Sequence, residues 1–199
     1  MKKTFLAAIL VVTATIVSAQ GYKPGDIVKD FSLKNVDGNM VSMADFPEAK
    51  GFIISFTCNH CPYAVAYEDR IIALDRKYKP LGYPVIAINP NDPAAEPRDS
   101  FDKMIERSKE KGFTFPYLLD EGQKVYPVWG ATHTPHMYVV KRDGGNLRVM
   151  YVGTIDNNWR DASAATVNYI DNAITSILEG KEIEQPTTRA IGCTIKVAK

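Results

Sequence analysis

Gly51-Phe-Ile-Ile-Ser-Phe-Thr-Cys-Asn-His-Cys-Pro62 is the stretch whose reading decides the fold. Its first six residues are β-formers and apolar apart from Ser55, the pattern of a short strand buried on both faces. Cys58 follows within two residues. From Pro62 onward Ala64, Tyr67, Ile71, Leu74 and Tyr78 recur at helical spacing, and Pro80 and Gly82 end the run. Pro62 suits the first turn of that helix, where a missing N–H costs nothing. A Cys-x-x-Cys pair therefore sits where a buried strand becomes a helix.

The flanking sequence extends the pattern in both directions. Upstream, Ile27 to Leu33 and Met40 to Ser42 flank the turn signal Asp37-Gly38, predicting an N-terminal hairpin. Downstream, Tyr83 to Asn89 reads as the next buried strand. A proline-bearing loop (Pro90, Pro93, Pro97) leads to a helix over Asp99 to Lys111, with Phe101, Met104 and Ile105 inward and Gly112 as its stop. Phe115 to Leu119 reads as a short strand and Gln123 to Trp129 as a helical turn. His136 to Lys141 and Leu147 to Val152 form a hairpin across Arg142 to Asn146. Val167, Ile170, Ile174, Ile177 and Leu178 line a last helix, stopped by Gly180. A parallel βαβ unit followed by an antiparallel ββα unit is a thioredoxin-like α/β fold. Its central mixed sheet is covered by helices on both faces, with the N-terminal hairpin as an extension.

The 199 residues, 45% hydrophobic and 24% charged, suit one domain with its own core. A formal net charge of +1 gives no field that would recruit nucleic acid. Met1-Lys2-Lys3, the apolar run Phe5 to Val17 and the small residues of Val17-Ser18-Ala19 make residues 1–19 a signal peptide. That run is shorter than the roughly 20 residues a spanning helix needs, so no stable membrane span is expected after cleavage. The expected mature unit is residues 20–199, with 181–199 as a C-terminal tail, in the periplasm or secreted.

Export changes the meaning of the three cysteines. They are too few for a disulfide framework, and Cys58 and Cys61 are too close together to staple a domain. Placed at a helix N-terminus, Cys58 is expected to be held as a thiolate by free N–H groups and the helix dipole. The thiolate is the species that attacks disulfides, and Cys61 is in reach to resolve the product. His60 would add positive charge beside the pair. The other reading of the pair, half of a structural zinc site, lacks a second Cys-x-x-Cys. At Thr134-Pro135 a cis bond would put the Thr134 backbone against the sulfurs, ready to pair with an extended substrate; a trans bond would make an ordinary turn. His133 and His136 flank that dipeptide. With Cys58 and Cys61 they could form a two-sulfur, two-nitrogen site for zinc or copper, or they are plain surface histidines. Cys193 is either a bystander thiol or a third redox cysteine carried by the tail.

Taken together, Gly51 to Pro62 with its helix, Thr134-Pro135 and Tyr151-Val-Gly-Thr-Ile-Asp156 resemble the thioredoxin-like superfamily. Within it, the chain is similar to the redoxin or AhpC/TSA-type, peroxiredoxin-like exported proteins, and Phe31 to Ser42 is similar to the hairpin that opens them. The tail Ile191-Gly-Cys-Thr-Ile-Lys196 resembles a peroxiredoxin-like subgroup. The departures are informative. Thr57 matches the threonine of the peroxidase motif, but Ile53 stands where that motif has proline. Ala64 stands where the peroxidases and the related reductases place glutamate. His60 before the second cysteine resembles a disulfide oxidase site, which has proline where Asn59 stands. Copper-delivery proteins of this fold separate their cysteines by three residues, not two.

The resemblance and the residues together imply an oxidoreductase that exchanges disulfides with partner proteins and needs a redox partner but no cofactor. Cys58 and Cys61 are its catalytic residues, with His60 and Thr57 tuning them. Asn59, Thr134 and Pro135 meet the substrate, and Cys193 is a possible third redox cysteine. The alternatives are a thiol peroxidase with antioxidant activity towards hydroperoxides, and a periplasmic copper- or metal-binding protein using Cys58, Cys61, His133 and His136.

Overall fold

The computed structural model describes residues 21–198; the signal peptide expected over residues 1–19 lies outside the described residues. Among the described residues, ten strands and four α-helices follow in chain order. They run β1 (Ile27–Val28), β2 (Leu33–Asn35), β3 (Met40–Val41), β4 (Gly51–Phe56), α1 (Pro62–Tyr78), β5 (Val85–Asn89) and α2 (Phe101–Lys111). After these come β6 (Tyr117–Leu119), α3 (Tyr126–Trp129), β7 (His133–Thr134), β8 (His136–Asp143), β9 (Asn146–Gly153), α4 (Tyr169–Leu178) and β10 (Cys193–Thr194). Eight strands make one mixed sheet in the order β1-β9-β8-β4-β5-β6-β2-β3. β4, β5 and β6 are parallel neighbours, while β8 runs antiparallel to β4 and β9 antiparallel to β8. This is the thioredoxin-like arrangement.

Strand β4 is buried along its whole length, and its alternation divides the core. Ile53 faces a cluster filled by Tyr67 and Ile71 of α1, Met104 of α2, and Ile170 and Ile174 of α4. Phe52, Ile54 and Phe56 face the other way, onto Tyr138, Trp129 and the N-terminal segment around Phe31 and Met43. Trp129 anchors that second layer, with ring centroids 5.2 Å from Tyr138 and 5.4 Å from Tyr22, both edge-to-face.

Two details depart from the sequence pattern. The expected N-terminal hairpin keeps only its inner half, since β2 pairs with β3 while β1 crosses to the far edge and pairs with β9. Asp30 causes the split. Its carboxylate accepts from the backbone N–H groups of Phe31 (2.7 Å), Met43 (2.9 Å) and Ala44 (3.0 Å), which ends the strand after Val28 and turns the chain. The second departure is the stretch after Lys181, which shows no periodicity yet is tied down along its length. Val152 donates to Pro186 O and Thr188 donates back to Val152 O, and β10 forms a separate two-stranded sheet with β7.

Helix α4 turns its face slightly away from the expected one, with Ala173 buried and Leu178 45% exposed. Ile174→Ala should therefore cost about 3 kcal/mol, and Leu178→Ala less than about 0.5, in urea denaturation midpoints. Equal losses would mean that the helix is seated differently.

Candidate active site

Between β4 and α1 the chain turns through Thr57 to Cys61, and each residue of the turn is anchored. Thr57 donates its N–H to Ile88 O at 2.9 Å, extending the parallel pairing by one residue. Asn59 N–H donates to Asp99 Oδ1 at 2.8 Å, and the Asn59 side chain donates to Arg98 O and accepts from the Tyr117 hydroxyl. The Asn59 amide, expected at the substrate face, is thus spent on the fold. Cys61 is the N-cap of α1, followed directly by Pro62.

Asp99 is the residue that sequence reading missed. It is fully buried, and besides the Asn59 amide it accepts from His60 Nδ1 and Asn91 Nδ2, both at 2.6 Å to Oδ2. The outer nitrogen of His60, Nε2, lies 3.4 Å from Glu96 Oε2. Glu96 is itself held low, at about 2, first by its hydrogen bond to Arg98 and also by His60. His60 is therefore clamped between two carboxylates. The only sequence signal for Asp99 was its place before α2, where an acidic residue reads as ordinary helix-start chemistry.

The Thr134–Pro135 bond is cis. Thr134 is fully buried and meets both cysteines of the turn: its hydroxyl is 3.1 Å from Cys58 Sγ, and its carbonyl oxygen is 3.2 Å from Cys61 Sγ. The disulfide joins Cys61 to Cys193, 132 residues away, and leaves Cys58 as a buried free thiol. Cys58, Cys61 and Ala64 form one small apolar cluster against which Cys193 and Tyr63 pack.

This arrangement corrects the expected activation of Cys58. Burial, and then the charge of Asp99, push its thiol up to about 11, although Thr134 and the N–H groups of Cys61 and His60 favour the thiolate. The helix N-terminus belongs to Cys61, so the dipole acts one turn away from where the spacing suggested. A second correction concerns metal. Among the described residues, the His, Cys and carboxylate side chains that converge are Cys58, His60 and Asp99, not Cys58, Cys61, His133 and His136. Cys61 is committed to sulfur, His133 Nδ1 is bonded to the Thr132 hydroxyl, and His136 Nδ1 accepts from Thr132 N–H. Thr57 lines a narrow cavity beside Cys58 with Glu68 and Tyr117, and its buried hydroxyl has no hydrogen-bond partner among the described residues.

The pattern of the AhpC/TSA family matches residues 24–151. The chain belongs to this family. It is accordingly an oxidoreductase with a thioredoxin-like redox function. A conserved protein from Geobacillus kaustophilus has a solved structure similar to this one, with TM-score 0.79 and 34% identity over 88% of this chain and 92% of that one. The thiol-disulfide oxidoreductase ResA of Halalkalibacterium halodurans is 24% identical over 127 residues, 64% of this chain and 68% of its own length. A Mycobacterium tuberculosis protein named as a peroxiredoxin is 28% identical over 119 residues, 58% of this chain and 68% of its own. Among the described residues no helix is long and apolar enough to cross a membrane.

Two titrations follow from the site. Replacing Asp99 by Asn removes a charge that opposes the Cys58 thiolate, so the pH midpoint of its ultraviolet thiolate absorbance in the oxidised protein should fall. An unchanged midpoint would mean that burial acts alone. His136 is held down at about 4 by burial first and His133 second. The unfolded chain, with its ordinary histidine near 6.5, takes up the proton first, so stability present above that value is lost as the pH falls towards 4. The loss is on the order of 3 kcal/mol. It should disappear from the melting-temperature profile of His136→Asn relative to the parent.

Proposed function

We propose that this protein, as a single thioredoxin-like domain over residues 20–199 exported by cleavage of residues 1–19, exchanges disulfides with partner proteins outside the cytoplasm. Cys58 and Cys61 are the exchanging pair. The observation that carries the reading is Thr134, which touches both sulfurs while its backbone pairs with an extended, cysteine-bearing strand. The kinship with ResA, a thiol-disulfide oxidoreductase by name, supports the same chemistry.

The geometry favours a division of labour opposite to the sequence expectation. Cys61, at the N-cap, bonds to the incoming segment, and Cys58 resolves that bond. In the reducing direction the Cys61 thiolate attacks a partner disulfide, forming a mixed disulfide and releasing one partner thiolate, which takes up a proton. Cys58 then gives up its proton and attacks Cys61 Sγ, forming Cys58–Cys61 and expelling the second partner sulfur. The oxidising direction is the reverse. His60 and Asp99 hold the turn in place, and no cofactor enters.

A second reading rests on the unpartnered Thr57 hydroxyl beside Cys58, which would orient a hydroperoxide for attack by that thiol. Stopped-flow mixing of the reduced protein with hydrogen peroxide separates the two readings. Thiol loss no faster than that of free cysteine leaves disulfide exchange, and a far faster rate makes the peroxidase primary.

For the exchange reading itself, Cys61→Ser is expected to abolish insulin reduction, whereas Cys58→Ser should accumulate a mixed disulfide with the substrate. Full activity in either variant would refute the assignment.

A further inference from the structure

The segment on the Thr134 edge is the chain's own tail. β10 runs antiparallel to β7 with Cys193 opposite Thr134 and Thr194 opposite His133. It is seated over several residues. Ile195 N–H donates to Thr132 O, and its side chain is buried in the core. Lys196 donates to Asn91 Oδ1, and its carbonyl oxygen accepts from Asp92 N–H and Gln123 Nε2. Cys193 N–H donates to Cys61 Sγ at 3.3 Å. Gly192 passes so close to the cis-proline corner that a Cβ there would lie 2.2 Å from Thr134 O and 2.6 Å from its carbonyl carbon. No side chain fits that position without moving backbone.

Resting on the exchange reading above, we propose that residues 191–196 are an internal occupant of the partner site. Cys61–Cys193 is then a self-made mixed disulfide that caps the oxidised protein, and the edge it covers takes extended segments with glycine immediately before the cysteine. Uncapping is an internal exchange at constant oxidation level. Cys58 gives up its proton and attacks Cys61 Sγ, the Cys58–Cys61 bond forms, and the Cys61–Cys193 bond breaks. The electron pair leaves on Cys193 sulfur, which takes the proton. The tail then holds to the edge without a covalent bond, by its hydrogen bonds and the Ile195 side chain, and gives way to a partner strand. The neutral, buried Cys58 thiol keeps the capped isomer standing at neutral pH.

The test starts from full-length mature protein oxidised with oxidised glutathione. Disulfide mapping should find Cys61–Cys193, and amide hydrogen exchange should show residues 193–196 protected. In oxidised Cys193→Ser the bond should be Cys58–Cys61 and the protection markedly weaker. A parent protein carrying only Cys58–Cys61, or tail amides exchanging alike in both proteins, overturns the cap. Oxidised Cys193→Ser is next offered the reduced peptide Ile-Gly-Cys-Thr-Ile-Lys or its Gly-to-Val counterpart. The glycine peptide should react at least about tenfold faster, from the overpacking that a side chain imposes. Equal rates, or no reaction with either peptide by a variant that still reduces insulin, overturn the glycine-selective edge. A variant that reacts with neither peptide and reduces no insulin defeats the exchange reading, while mapping and protection judge the cap separately.

Discussion

The site is organised by one buried residue, Thr134, because three otherwise distant segments have to meet on it. Its hydroxyl takes Cys58, its carbonyl oxygen takes Cys61, and its backbone takes β10. Each contact restricts the others. The turn after β4 can present both sulfurs to a single residue only because β4 pairs with β8 from Gly51–Lys141 through Phe56–His136, which carries His136, and with it Pro135 and Thr134, to the end of the sheet where Cys58 emerges. A one-residue slip of that register would turn the whole β4 face over and carry the cysteines off the proline corner.

A second constraint is electrostatic. Asp99 is a carboxylate with no exposure, which is tolerable only because three donors converge on it. Two of those donors are the Asn59 amide and the His60 ring, so satisfying Asp99 also fixes the path of the active-site turn. The same charge disfavours a thiolate at Cys58, and His60, which spacing alone would cast as a positive neighbour for the cysteines, faces carboxylates instead. The turn is thus held rigid by a group that adds to burial in keeping its free thiol protonated. That is a sensible pairing for a thiol that has to stand beside a disulfide without attacking it prematurely.

What could be read from the sequence follows the range of the interactions. The strand–cysteine–helix joint is local, carried by a six-residue apolar run, Pro62 and a 3.6-residue period, and it folds as read, with α1 at Pro62–Tyr78. The central strands β4, β5, β8 and β9 were equally legible, because they are long or apolar enough to declare themselves. β10 is two residues long and pairs across nearly 60 residues of chain, so no periodicity could announce it. Asp99 reaches back 40 residues to the turn, and its role rests on burial that composition does not encode. The N-terminal hairpin was misread for a related reason: the alternation from Ile27 to Leu33 is genuine, but one carboxylate, Asp30, interrupts it by capturing three backbone amides. His133 and His136 flank the proline as a metal pair would, yet both hydrogen-bond to Thr132.

The identity of the sulfur that carries the bond matters more than the presence of a Cys-x-x-Cys pair. Had Cys58 and Cys61 been joined to each other, the tail would have been held only by its backbone bonds and Ile195. Placing the bond between Cys61 and Cys193 instead couples the partner of Cys61 to the occupancy of the Thr134 edge, since the residue that pairs with Thr134 is the residue whose sulfur is bonded. The choice of sulfur that Cys61 is bonded to and access to the edge then become one variable. Gly192 is the physical condition for that coupling, because any larger residue would hold the strand off the corner and break the register that brings Cys193 to Cys61.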